Sequence, residues 1–248
     1  MPCLRGSVAF EDADTPVHTV LIPGLLCSAR LYDQLLPIVW SYGGVTIADT
    51  RRDSTVTGMA QRLLAAAPGR FALVGLSMGG YVALEVMRLA PERVSGLALI
   101  ATSARPDSPE QVASRREQER AVAAGRFNEL VDAVYPVLVD ADTVARTDPA
   151  DAWRTMALEI GPDAFVAQLE AVMSRPDSRP DLAAIRCPTA VIHGTGDRLI
   201  APENAVEIAD GVPGAQLTLV PDAGHMIAQE QPGAVETVVR GLLEAAAP

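Results

Sequence analysis

The chain has 248 residues, the size of one large α/β domain or of one domain carrying an insertion. Hydrophobic residues make up 49% and charged residues 21%, outside the low-hydrophobicity, high-charge regime of disorder, so the chain is expected to fold by itself. A net charge of −11 repels phosphate backbones and anionic headgroups and argues against nucleic-acid and membrane partners; all 20 Lys+Arg are arginine, which excludes Schiff-base, pyridoxal-phosphate and Lys-Ser/Thr phosphate-loop chemistry. Three histidines (His18, His193, His225) and three cysteines (Cys3, Cys27, Cys187) lack the spacing of a zinc site, and the scattered cysteines read as reduced thiols. Met1-Pro2-Cys3-Leu4-Arg5 opens into polar sequence with no signal-like apolar run, and no later stretch is long enough to span a bilayer, so a cytoplasmic protein is expected.

In chain order, residues 17–22 form a short apolar, β-branched run stopped by Pro23-Gly24, which reads as a buried strand feeding a loop. The same pattern recurs at 45–48, 71–74, 94–100, 189–192 and 216–220. Helical periodicity falls between most of these, at 59–67, 80–90, 201–210 and 234–246. Strands alternating with helices predict an α/β fold, a mainly parallel central sheet flanked by helices, with the ligand site beyond the carboxyl ends of the strands. Residues 105–180 break the alternation: 109–124, 127–139, 150–160 and 163–174 read as helices with no convincing strand among them. The predicted organisation is a core of 1–104 and 181–248 interrupted by a helical cap at 105–180, since a plain crossover seldom needs four helices.

Gly75-Leu76-Ser77-Met78-Gly79 follows a predicted strand and opens a predicted helix, so Ser77 is the candidate nucleophile of a G-x-S-x-G turn. A serine hydroxyl needs a base oriented by a carboxylate. His225, in the loop of Pro221-Asp222-Ala223-Gly224-His225 after the last strand, is the candidate base. His18 and His193, inside or closing strands, read as structural. Asp197 in His193-Gly194-Thr195-Gly196-Asp197 is the candidate acid, while Asp49 follows a strand that lies too far out. The backbone N–H groups of Leu25 and Met78 are the candidate donors to a developing oxyanion.

Together these residues resemble the α/β-hydrolase superfamily over nearly the whole chain, and within it the small bacterial esterases and lactonases with a helical lid. Ile22-Pro23-Gly24-Leu25-Leu26-Cys27, the stretch from Gly75 to Tyr81, and Thr102-Ser103-Ala104-Arg105-Pro106-Asp107 carry the likeness. Pro23 departs from the histidine many members place before the oxyanion-loop glycine. The resemblance implies a serine hydrolase acting on a small carboxylic ester or lactone with no cofactor or metal. C–C bond hydrolases, cofactor-free perhydrolases and lyase-type synthases share the constellation, and a non-catalytic ligand receptor is the reading from another class. Leu26, Cys27, Tyr135, Trp153 and Met226 are candidate substrate contacts. For Cys27 a pocket-facing thiol and a small buried hydrophobe both remain open, as do pocket lining and ordinary packing for Phe127, Tyr135, Trp153 and Phe165. The oligomeric state is left undetermined.

Overall fold

Residues 16–140 and 150–247 are described in the structure, a computed structural model; Cys3, the rest of residues 1–5 and residues 141–149 of the expected cap lie outside them. The strands are β1 (Thr19–Ile22), β2 (Val45–Ile47), β3 (Phe71–Leu76), β4 (Val94–Ile100), β5 (Thr189–Gly194) and β6 (Gln216–Val220). Among the described residues they form one six-stranded sheet in the order β2-β1-β3-β4-β5-β6, every pairing parallel. β3 and β5 run two residues beyond the apolar runs that announce them. In β3 the extension follows from pairing: Gly75 sits opposite Ile22 and Leu99, and Leu76 opposite Ile100, so ladder bonds from neighbouring strands hold residues whose own propensity is poor.

The helices in chain order are α1 (Leu36–Tyr42), α2 (Val56–Ala66), α3 (Met78–Leu89), α4 (Pro109–Ala123), α5 (Phe127–Leu138), α6 (Ala150–Met173), α7 (Glu203–Gly211), α8 (Ile227–Glu230) and α9 (Pro232–Ala246). Alternation along the strands supplies two apolar faces. Val20, Ile22, Leu73, Leu97 and Leu99 pack with α2, α3 and α7, whereas Leu21, Val74, Ala98 and Ile100 pack on the other side with α1 and α9. α1 and α8 carried no sequence signal, because two turns or fewer are too short to display a period.

Between β4 and β5 the described residues contribute α4, α5 and α6 and no strand. Ser108 starts α4 with a capping box: its Oγ accepts from Gln111 N–H at 3.3 Å and its own N–H donates to Gln111 Oε1 at 2.8 Å, with Pro109 fixing the first turn. α6 breaks at Gly161, where φ is 78° and ψ 167°, and Pro162 restarts it, which matches the two helices read from the sequence. Among the described residues no helix is long and apolar enough to cross a membrane.

Candidate active site

β3 ends at Leu76 and α3 begins at Met78, which leaves Ser77 alone in the turn at φ 55° and ψ −115°. A side chain at that φ is strained, and the strain lasts only where the surroundings over-determine it. Here they do. Ser77 N–H donates to Ile100 O at 2.9 Å, and Ser77 O accepts from Gly80 N–H and from Thr102 Oγ1, each at 2.8 Å. The flanking glycines are required by close approach: a Cβ on Gly75 would strike the Gly79 carbonyl, and one on Gly79 would strike that of Ile22. The turn therefore lifts the Ser77 hydroxyl above the sheet at the head of α3.

Asp197 lies in the loop after β5 and His225 in the loop after β6. His225 Nδ1–H donates to Asp197 Oδ2 at 2.8 Å, which leaves Nε2 toward the cavity that Ser77 also lines. Asp197 Oδ1 accepts the N–H groups of Leu199 and Ile200, both at 2.9 Å. Burial alone would push this carboxyl up, but the neighbouring His225 and hydrogen bonds from His193, His225 and Ile200 outweigh it and hold Asp197 well below the usual carboxylate range. Among the described residues no hydrogen bond joins Ser77 to His225; the two meet only across the cavity.

Leu25 and Met78 line the cavity on either side of Ser77. Neither N–H donates to a described acceptor, whereas those of the next residues along the loop are engaged: Leu26 N–H by Gln168 Oε1 at 3.0 Å and Cys27 N–H by Gly24 O at 3.1 Å. Met78 is the first residue of α3, so its N–H also stands at the positive end of the helix.

The cavity has a volume of about 220 Å³. Leu26, Cys27, Trp153 and Met226 stand in its wall, while Tyr135 lies outside it. The reason is helical period. On α5 the cavity takes Leu130, Val134 and Leu138, at i, i+4 and i+8, and Tyr135 is rotated off that stripe into the apolar cluster. Phe165 lines the cavity and Phe127 packs behind it, their ring centroids 5.9 Å apart. Cys27 faces the cavity yet is 3% exposed, and burial pushes its thiol up to about 12, so it is no ready thiolate at neutral pH.

The other histidines separate. His18 Nε2 pairs with Thr46 Oγ1 at 2.9 Å on the far edge of the sheet. His193 is closer to the chemistry than a structural reading implies: its Nε2 lies 2.8 Å from Ile200 O and 3.1 Å from Asp197 Oδ2. Two further residues escaped the sequence reading. Gln168 on α6, fully buried, holds Leu26 N–H and donates from Nε2 to Thr50 Oγ1 at 3.2 Å. Glu230 accepts the N–H of Gly224 at 3.0 Å and that of Asp140 at 2.7 Å, tying the histidine loop to the end of α5. Both are long-range contacts that no local motif announces. Asp49, paired with Arg51 and Arg52, stays outside the site.

Residues 9–238 match a family model described as the alpha/beta hydrolase family. The chain is 28% identical to a pimeloyl-acyl-carrier-protein methyl ester esterase of Aromatoleum aromaticum, over 91% of this chain and 93% of that one. It is 27% identical to the polyketide synthase ThaQ of Burkholderia thailandensis over 92% of this chain, a match that spans 12% of that protein's length. A thermophilic esterase from Thermogutta terrifontis, solved with malate bound, superposes with a TM-score of 0.85 at 29% identity, covering 96% of this chain and 93% of that one. The enol-lactonase of Burkholderia xenovorans LB400 shares the fold, with a TM-score of 0.84 at 24% identity and coverage of 93% and 92%.

Proposed function

The chain belongs to the alpha/beta hydrolase family, and from that premise we propose that it is a serine hydrolase cleaving small carboxylic esters or lactones through an acyl-Ser77 intermediate. The observation that carries this reading is the Asp197–His225 hydrogen bond of 2.8 Å on one side of a cavity whose other side presents Ser77 from a strained turn. Ser77 Oγ attacks the ester carbonyl while His225 Nε2 takes its proton; Asp197 fixes the tautomer and stabilises the imidazolium. The negative oxygen falls to the unengaged N–H groups of Leu25 and Met78, each worth about 3 kcal/mol by the scale of single-donor deletions. His225 then protonates the leaving alcohol, water enters, and the same base activates it against the acyl-enzyme. The helices between β4 and β5 act as the lid of this site, their apolar residues Leu130, Val134, Trp153 and Phe165 receiving the acyl or alcohol group. Relatives named as esterases, at 28% and 29% identity, support ester chemistry.

Short-chain p-nitrophenyl esters provide the test. Ser77→Ala is expected to lower kcat by more than about 10³-fold, and acid quench of the native protein during turnover is expected to leave the acyl group on the Ser77 peptide. Unchanged hydrolysis in Ser77→Ala would refute the reading, and turnover of a substrate with no acyl-Ser77 would point to use of the triad as a base only.

A further inference from the structure

One wall of the cavity is not accounted for by an apolar acyl group. α4 buries none of its residues, yet Gln111, Ser114, Arg115 and Gln118, at i, i+3, i+4 and i+7, form a polar stripe along the cavity. Arg115 is the permanently charged side chain among the described residues lining it. Its partner is Asp107, whose side chain is wholly buried and shared by two guanidiniums, Arg115 at 2.5 Å and Arg175 at 2.6 Å. Two cations on one carboxylate leave a surplus of one positive charge. The adjoining arginines do not alter it: Arg105 and Arg179 are matched by Glu207 and Asp177.

The two guanidiniums differ in what they have left to give. Arg175 donates from Nε to the carbonyl of Arg105 at 3.0 Å and from Nη1 to that of Val172 at 2.8 Å, and it lies behind the cavity wall, whereas Arg115 lines the cavity itself. Arg115 uses Nε and Nη2 on Asp107, and its Nη1 meets no described acceptor. Tyr81, one helical turn after Ser77, lines the same cavity at 7% exposure; its ring lies 4.1 Å from the Arg175 guanidinium, and its hydroxyl bonds to no described residue. Gln118 Oε1 is buried in the same wall without a partner. The surplus charge and the unused donors of Arg115 and Tyr81 face the cavity, where a ligand can complete them.

We propose that Arg115 and Tyr81 form a subsite for a carboxylate carried by the substrate away from its reacting carbonyl, so that the preferred substrate is the half-ester of a small dicarboxylic acid or a lactone bearing a free carboxylate. The inference rests on the acyl-Ser77 reading and adds the substrate class to it. A carboxylate can accept from Arg115 Nη1 and the Tyr81 hydroxyl at once, and the surplus at Arg115, Arg175 and Asp107 matches one negative charge. In a chain of net charge −11 the attraction is confined to this wall, so it selects for an anion inside the cavity and offers no general attraction outside it.

The experiment compares kcat/KM for monoethyl malonate, succinate, glutarate and adipate with that for the neutral amide of each half-ester. The native protein is expected to favour the charged ester by about tenfold or more at one chain length, the value of a single charge-assisted hydrogen bond. Arg115→Gln and Tyr81→Phe are expected to reduce that ratio and Arg115→Glu to invert it; a ratio taken within each variant is independent of how much folded protein it yields. Cleavage of both members of every pair with no preference for the charged one overturns the subsite and leaves the esterase reading standing. A ratio unmoved by Arg115→Gln overturns it as well. Failure to cleave any ester, p-nitrophenyl acetate included, removes both.

Discussion

Asp197 meets both histidines and two backbone N–H groups, four donors on one buried carboxylate. Replacing it with Asn preserves the volume but not the acceptor pair, and the new amide favours the wrong His225 tautomer. Asp197→Asn is therefore expected to lower kcat by about 10³- to 10⁴-fold with KM changed little, measured by steady-state kinetics on a p-nitrophenyl ester; a loss confined to KM would deny Asp197 its part in orienting the base. Ser77, Asp197 and His225 could be picked as candidates because each follows a strand and each is a residue type that serine-hydrolase chemistry would require. His193 was not, since a histidine that closes a strand looks the same whether its ring turns to packing or to the acid four residues on. The strained residues tell the same story from the backbone. Among the described residues, the non-glycine positions with positive φ are Leu26, Ser77, Ala101 and Asp222, in the turns after β1, β3, β4 and β6. Strain gathers at the carboxyl edge of the sheet, where the cavity is.

Among the elements, α6 reaches furthest into the chemistry. Gln168 bridges from it to Leu26 in the loop after β1 and to Thr50 after β2, fixing a residue held at φ 58° beside the Leu25 N–H. This brace operates in a chain that has Pro23 before Gly24, where a histidine often supports the loop. Gln168→Met keeps the length and removes its hydrogen bonds to Leu26 and Thr50; it is expected to cost about 1 to 3 kcal/mol of stability through the unpaired Leu26 N–H. It is also expected to lower kcat about 10- to 100-fold at nearly constant KM, because a misdirected Leu25 N–H acts on the transition state. A rise in KM with kcat intact would make Gln168 a packing residue only. The strands and most helices could be read from period and punctuation. The facing of each helix could not: α5 is amphipathic on any reading, but whether Val134 or Tyr135 meets the cavity depends on its rotation against α6, a tertiary contact.

Across the whole molecule the absence of lysine shapes the response to acid. Several carboxyls sit below their ordinary range: Asp49 at about 2, through hydrogen bonds from Arg51; Asp177 and Glu207, held by Arg179 and Arg105; Glu85, where Arg88 and Thr57 overcome burial; and Asp197 in the site. A carboxyl lowered in the folded state adds stability that is fully present above its unfolded value, 3.8 for Asp and 4.5 for Glu, and that is lost as pH falls through the folded value. The surface pairs among these contribute little singly, and the buried Asp197 contributes most. A second effect opposes this at first. Lowering the pH from 7 titrates away the net charge of −11 and relieves self-repulsion, which stabilises the fold mildly. Below about pH 4 both effects act in the same direction, because protonated carboxyls release their arginines, and the 20 permanently charged arginines repel one another. Tm is thus expected to change little between pH 7 and 5 and to fall by about 10 °C or more by pH 3, a loss of several kcal/mol in a chain of this size. Scanning calorimetry across that range at fixed ionic strength measures it, and a Tm that stays level or rises toward pH 3 would mean that relief of anionic repulsion outweighs the paired carboxylates.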